Sequence, residues 1–366
     1  MASASPKIPP LPLLRAATWL RDGLAVLHRR LVPGHIALLE LGTAGYVSQA
    51  ICAAAELGIA DVLADGPKSA AELARTLNVD EDALRRLLRL LISWGVFEQH
   101  RDGTYRLTGV SQGLRTDADV SLRDLFVFFG SELHRKHWTH LATSVRAGGS
   151  LWPELEGMEF FEFAEQHPEV GQVFDRAMTS VGSLATEPLH AAFDFGRFGS
   201  IVDVGGGRGS LLVDILQRHP SMRGTVFDLP RVAEGLEEQL LGPGLAGRLT
   251  VEPGSFFDVV PKGADAYLLK HIIHDWNDAD AERILRTVRT AMETEARLLI
   301  IEMVMPEHHR PHPGKVIDLE MLIQTRGGRE RTQNEFGNLL SRSGFVLTGV
   351  TTTAAPDCVI EARPTV

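Results

Sequence analysis

Ile201-Val202-Asp203-Val204-Gly205-Gly206-Gly207-Arg208-Gly209-Ser210 is the stretch on which the fold turns. An apolar run reads as a buried β-strand, breaks into a glycine-rich turn, and is followed by an amphipathic helix carrying Leu211, Leu212, Ile215 and Leu216. Glycines at 205, 207 and 209 let the backbone bend sharply and approach a ligand closely, with a helix N-terminus just behind. Outward from this point, strands at 200–204, 223–228, 249–252, 265–270 and 297–303 alternate with helices at 209–218, 230–240 and 279–292. That alternation predicts an α/β fold, a doubly wound parallel sheet covered by helices on both faces. Helices near 316–326 and 332–342 precede strands near 345–350 and 357–362, and the last two are placed to close the sheet as a hairpin.

The sixth position from Gly205 is Ser210, so the dinucleotide spacing of glycine at the first, third and sixth positions fails. What stands instead is Asp-x-Gly-x-Gly-x-Gly over Asp203 to Gly209, the form seen where S-adenosylmethionine is bound. The next strand, Gly224 to Phe227, delivers Asp228 at its end. An acid there accepts hydrogen bonds from both ribose hydroxyls, in a nicotinamide dinucleotide or in S-adenosylmethionine alike, although before Pro230 it also suits a helix cap.

The chain of 366 residues is long enough for two domains. Hydrophobic residues at 44%, charged residues at 23% and a net charge of −10 describe an ordinary acidic globular protein and argue against a nucleic-acid partner. Cys52 and Cys358 make neither a disulfide framework nor a metal cluster, which suits the cytoplasm. No signal-peptide core follows Met1 to Pro12, and no apolar stretch is read as long enough to span a bilayer.

Four regions are expected: a disordered tail at 1–12, a helical domain at 13–115, a helical segment at 116–198, and the cofactor-binding catalytic domain at 199–366. Leu13 to Leu31 and Gly34 to Glu56 read as helices. Ser69 to Leu77, a turn at Asn78-Val79, Asp80 to Trp94 and a hairpin turning at Asp102-Gly103 together make a winged-helix pattern. Such a module either binds DNA, through Arg85, Arg86 and Arg89, or serves as a dimerisation and substrate-recognition scaffold. Nearby Asp80, Glu81 and Asp82 and the acidity of the chain favour the scaffold.

The fourth strand runs into Lys270-His271-Ile272-Ile273-His274-Asp275-Trp276, the fifth ends at Glu302, and a further acid lies in Gly327-Gly328-Arg329-Glu330-Arg331-Thr332. In open α/β sheets ligands sit beyond the C-terminal strand ends, so one histidine and two glutamates are expected to converge beside the cofactor cleft. Together with Asp203 to Gly209, these motifs resemble the plant-type small-molecule O-methyltransferases, whose bacterial members methylate polyketides, quinones and other secondary metabolites. The likeness covers about residues 40 to 350.

The resemblance implies a Rossmann-like methyltransferase sheet, S-adenosylmethionine as methyl donor with S-adenosylhomocysteine as product, no metal, and a homodimer built through the N-terminal helices. It implies His274 as catalytic base with Glu302 and Glu330 orienting it, and Asp203, Gly205, Gly207, Asp228 and Lys270 around the cofactor. Phe174, Met178, Met321, Thr325 and Trp276 are the expected lining of the site for a hydroxylated small-molecule acceptor. Two positions depart from the family: Ser255, before Phe256, replaces an acid that contacts the adenine amino group, and Thr325 replaces an asparagine near the acceptor. Phe256 is placed to stack on the base.

A phenol with a pKa near ~10 is only about one part in a thousand ionised at pH 7, and a positioned histidine flanked by carboxylates recovers up to roughly 4 kcal/mol of that penalty. His308, His309 and His312, and His134, His137 and His140, invite a metal reading, but the first set lies on a proline-flanked loop and the second drifts around a helix. Rival readings are a member of the same family turned to decarboxylation or hydroxylation, a nicotinamide-dependent oxidoreductase, and a winged-helix regulator sensing a small ligand.

Overall fold

The computed structural model describes residues 9–240, 242 and 244–365. Two compact units result: one combines Thr139–His167 and Leu184–Val366 with the stretch up to Thr18, the other combines Trp19–Trp138 and Pro168–Ser183.

In the first unit a seven-stranded sheet is made of β3 (Ser200–Val204), β4 (Arg223–Asp228), β5 (Leu249–Pro253), β6 (Ala266–Lys270), β7 (Arg297–Met303), β8 (Phe345–Thr352) and β9 (Asp357–Pro364). The order is β5-β4-β3-β6-β7-β9-β8. The first five are parallel, while β9 runs antiparallel to β7 and to β8, closing one edge with the expected hairpin.

Alternation along each strand splits the core in two. Val202 and Val204, Tyr267 and Leu269, and Leu298 and Ile300 join the core on one face with Ile284, Leu285, Phe336 and Leu339. Ile201, Leu268, Leu299 and Ile301 join the other with Leu212, Ile215 and Leu189. The period of two in strands that are apolar on both sides is what makes the sheet doubly covered. The helix expected at 230–240 is instead two short ones, Pro230–Ala233 and Leu236–Leu240. Gly235 between them adopts φ 67°, a left-handed conformation that a continuous helix does not admit.

The second unit has its own core, in which Ala54, Ile59, Leu73, Leu88, Leu91 and Phe97 are buried. Ser69 caps Ala70–Leu77 in a reciprocal arrangement with Glu72, Asn78 turns the chain at φ 55°, and the Asp80 side chain caps Glu81–Ser93. A ribbon of β1 (Phe97–Gln99) and β2 (Tyr105–Leu107) follows, and Lys68 bridges to Tyr105.

Residues 1–8 of the expected N-terminal tail lie outside the described residues. Leu11 and Pro12 already belong to the helix Leu11–Arg30, because proline's missing N–H costs nothing in a first turn. The membrane expectation also needs correction. Gly34–Glu56 is long and apolar enough, by length and composition, to cross a bilayer. Its Leu38, Leu39, Leu41 and Tyr46 are exposed.

Candidate functional site

The parallel registers gather the site. Val204 pairs with Phe227 and Lys270 with Ile301, so β3, β4, β6 and β7 all end on one edge and deliver Gly205, Asp228, His271 and Glu302 side by side. Because β9 is antiparallel, its first residue, Asp357, arrives at the same edge opposite Met303.

The glycine loop is held from below. The N–H of Gly205 donates to the Phe227 carbonyl at 2.8 Å, and the three glycines 205, 207 and 209 have φ of 72°, 56° and 69°. A Cβ on Gly205 would run into Ile272, with the Phe256 ring 3.6 Å away, whereas one on Gly207 would meet nothing within 4 Å. The loop therefore presents open space at Gly207, with an aromatic ring beside Gly205. Asp228 reaches across: one carboxylate oxygen accepts from Gly207 N–H at 2.7 Å and the other from Leu229 N–H at 2.7 Å.

Asp203 lies beneath the loop, 3% exposed. Burial pushes its carboxyl up to about 7, with Lys270 opposing and Asp228 adding to the shift. Lys270 is itself pushed down by burial, against the pull of Asp357 and Asp203. Ser255 is occupied in its own turn, where its hydroxyl oxygen accepts from the Phe257 N–H at 3.2 Å.

Three acids contact His274. Its Nδ1 lies 2.8 Å from Glu330 Oε1, its backbone N–H donates to Glu302 Oε1 at 3.0 Å, and its Nε2 is 3.7 Å from Asp275 Oδ1. Glu302 thus grips the main chain and Glu330 grips the ring, a division of labour that differs from the expected pair of ring-orienting acids. The ring side chain is 12% exposed, and Glu330 is fully covered. Burial disfavours the imidazolium, but Asp275, Glu330 and Glu302 outweigh it and raise the ring to about 10. Burial also pushes Glu302 up to about 7 and Asp275 up to about 6, with His274 opposing both shifts.

The loop bearing Glu330 is pinned by contacts on several sides. Arg329 N–H donates to the His274 carbonyl at 2.7 Å. A Cβ at Gly328 would run into Thr325 Oγ1 and stand 2.6 Å from that same carbonyl, so only glycine fits. Arg331, 1% exposed, donates to the carbonyls of Ile273 and Trp276 and pairs with Asp278. Nothing in the spacing of the Gly327 to Thr332 motif announces this clamp by Arg331.

His271 and Asp357 escape a reading of the sequence altogether. His271 sits at φ 53°, unusual for a residue with a side chain. Its Nε2 lies 2.8 Å from Asp357 Oδ1, and its ring stacks on that of His274 with centroids 5.5 Å apart. The pairing partner is 86 residues away, so no local pattern reveals it.

Of the expected acceptor residues, Trp276 stacks on Phe161 at 5.9 Å and meets Phe257 edge-on at 4.7 Å. Met321 is buried on the helix Pro313–Gln324. Phe174 and Met178 belong to the other unit, where Phe174 packs edge-on against Phe128 and Met178 is exposed. Thr325 closes a turn with its side chain, its hydroxyl donating to the Met321 carbonyl and accepting from Gly328 N–H.

No grouping of metal-ligating side chains occurs among the described residues. His312 caps its helix by accepting from Gly314 N–H, and His134 packs between Phe128 and Phe129.

The chain is similar to known proteins along most of its length. Residues 138–346 match a profile described as an O-methyltransferase domain, and residues 39–117 one described as an O-methyltransferase dimerisation domain. A phenazine O-methyltransferase of Lysobacter antibioticus is 37% identical over 91% of this chain and 97% of its own. The mitomycin biosynthesis 6-O-methyltransferase of Streptomyces lavendulae is 39% identical over 86% and 90%. The crystal structure of an O-methyltransferase from neocarzinostatin biosynthesis, in complex with S-adenosylmethionine and 2-hydroxy-5-methyl naphthoic acid, matches with a TM-score of 0.73 and 34% identity over 87% and 96%.

Proposed function

The chain belongs to the O-methyltransferase family, and we propose that it methylates a hydroxyl of a small aromatic, quinone or polyketide-like acceptor with His274 as general base. It is an S-adenosylmethionine-dependent O-methyltransferase. When bound, the cofactor supplies an electrophilic methyl group on a positively charged sulfur. The open face of Gly207, the Asp228 carboxylate and the Phe256 ring beside Gly205 fit such a molecule, with Asp228 for the ribose hydroxyls and Phe256 for the adenine. Lys270 and Asp203 stiffen the floor beneath.

One observation carries the assignment of the base: the His274–Glu330 contact of 2.8 Å, at the strand edge where the glycine loop also lies. With Nδ1 committed to Glu330, Nε2 is left to take the acceptor proton, and the carboxylate stabilises the imidazolium that forms. Glu302 anchors the backbone of His274 by accepting its N–H. With its pKa raised to about 10 the ring holds a proton in the unloaded site, so it acts as a base only once that proton is released. A positive charge nearby lowers the ring pKa, which frees the base once the site is loaded.

The dimerisation-domain match supports a homodimer, for which the exposed Leu20, Leu24, Leu27, Leu31, Leu38 and Tyr46 supply an apolar surface. Free, buried Cys52 and Cys358 accord with a reducing compartment such as the cytoplasm. Incubation with methyl-labelled donor and a panel of phenols, quinols and hydroxylated polyketides tests the activity. Replacement His274→Gln is expected to lower turnover about 10²–10⁴-fold while donor binding, measured by calorimetry, is kept. Unchanged turnover would remove His274 from the base role.

A further inference from the structure

The helix Pro313–Gln324 leads into the loop whose Arg329 N–H donates to the His274 carbonyl, and its last residue has a polar group that nothing in the described structure uses. Gln324 is 5% exposed. Its Oε1 accepts from Trp152 Nε1 at 3.0 Å. An indole N–H only donates, so it selects the amide oxygen and turns the amide nitrogen away from Trp152. That nitrogen, Gln324 Nε2, carries two protons, is buried, and has no hydrogen-bond partner among the described residues. Native interiors rarely leave such a donor idle, which points to a partner supplied from outside the chain.

The neighbourhood says which partner. Thr325, the residue expected to read the acceptor, has its only proton committed to Met321. Gln324 directly precedes Thr325, which accepts from the Gly328 N–H where a Cβ would stand 2.6 Å from the His274 carbonyl. Ser150 donates to the Ile323 carbonyl and Trp152 to Gln324, tying the aromatic segment to this helix end. Trp152 packs on Phe160 and Phe163, and Phe161 stacks on Trp276, two residues beyond His274. The amide is therefore enclosed by elements that border the base and are otherwise aromatic, a setting for a flat ring with one oriented polar contact.

We propose that Gln324 is a specificity-determining residue whose side-chain N–H₂ donates to a carbonyl or carboxylate oxygen of the aromatic acceptor, separate from the hydroxyl that is methylated. The inference rests on the methyl-transfer reading of the site and adds the class of acceptor it selects. A site built to donate to such an oxygen discriminates against an analogue that lacks it, because the amide is then left unpaired.

The test is calorimetry on the full chain saturated with S-adenosylhomocysteine. It is titrated with 2-naphthol and with 3-hydroxy- and 6-hydroxy-2-naphthoate, whose carboxylates lie beside and opposite the hydroxyl. At least one hydroxynaphthoate is expected to bind about ten- to hundredfold more tightly than 2-naphthol, as a hydrogen bond to a charged group gives. Gln324→Leu should erase the difference with S-adenosylhomocysteine affinity unchanged. Gln324→Glu, which keeps the shape and should fold if the leucine variant does not, should bind both hydroxynaphthoates more weakly than 2-naphthol. Equal affinities in the unaltered protein, or a preference that survives both replacements, would overturn the proposal and assign the amide a water. Failure of S-adenosylhomocysteine to bind at all would instead sink the underlying reading.

Discussion

Glu302 holds His274 by its main chain: Oε1 accepts the His274 N–H at 3.0 Å, while the ring Nδ1 belongs to Glu330 at 2.8 Å. Two buried acids that look equivalent in sequence therefore do different work. The Glu302 side chain is also wholly buried at the end of β7, so its carboxyl is part of the sheet edge as much as of the site.

The two acids should separate on mutation. Glu330→Gln removes the carboxylate from the ring and is expected to cut kcat about 10²–10⁴-fold with little change in donor affinity. Glu302→Ala leaves the His274 N–H without its partner and should lower folding stability by about 1–3 kcal/mol, in addition to slowing turnover. Parallel kinetics and urea unfolding check both; equal kinetic and stability losses in the two variants would contradict the division.

Cofactor affinity should depend on Asp228. Replacement by Ala removes the acceptor that also organises the Gly207 N–H, and donor binding should weaken by about ten- to hundredfold, the worth of charge-assisted hydrogen bonds. Calorimetric titration with S-adenosylhomocysteine reads this directly, and an unaltered Kd would take Asp228 out of the cofactor site.

Two alanine replacements in the glycine loop should diverge. At Gly207 the added methyl enters open space, so the cost in folding is the left-handed backbone alone, about 1–2 kcal/mol, and the methyl stands where the donor is expected. At Gly205 the same backbone cost is joined by collision with Ile272. Thermal unfolding should therefore rank Gly205→Ala below Gly207→Ala, with donor binding impaired in both.

The site should lose stability as pH rises. His274 is raised from 6.5 to about 10, so the folded state keeps a proton that the unfolded chain has released; its contribution is full below pH 6.5 and gone once pH passes about 10. Glu302 and Asp275, raised from 4.5 to about 7 and from 3.8 to about 6, act in the same direction at lower pH, since ionising them costs more in the folded protein. Denaturant unfolding between pH 6.5 and 10 should show falling stability, and His274→Gln should flatten that slope. A slope unchanged by the replacement would show that other groups carry it.

Sequence alone determined the doubly wound sheet, because an apolar strand, a glycine turn and an amphipathic helix are local patterns fixed within about ten residues. It determined β3, β4 and β7 to the residue for the same reason. It also brought His274 and Glu302 to one edge, since parallel strands place all their C-terminal ends together. Only the tertiary structure decided which atom of His274 each acid holds, that Gln324 keeps a donor in reserve, and that Asp357 supports His271. Those outcomes depend on contacts between residues 28, 56, 86 or 172 positions apart. Hydrogen bonds over such separations are set by the register of packed strands and the path of loops, and no local periodicity encodes either.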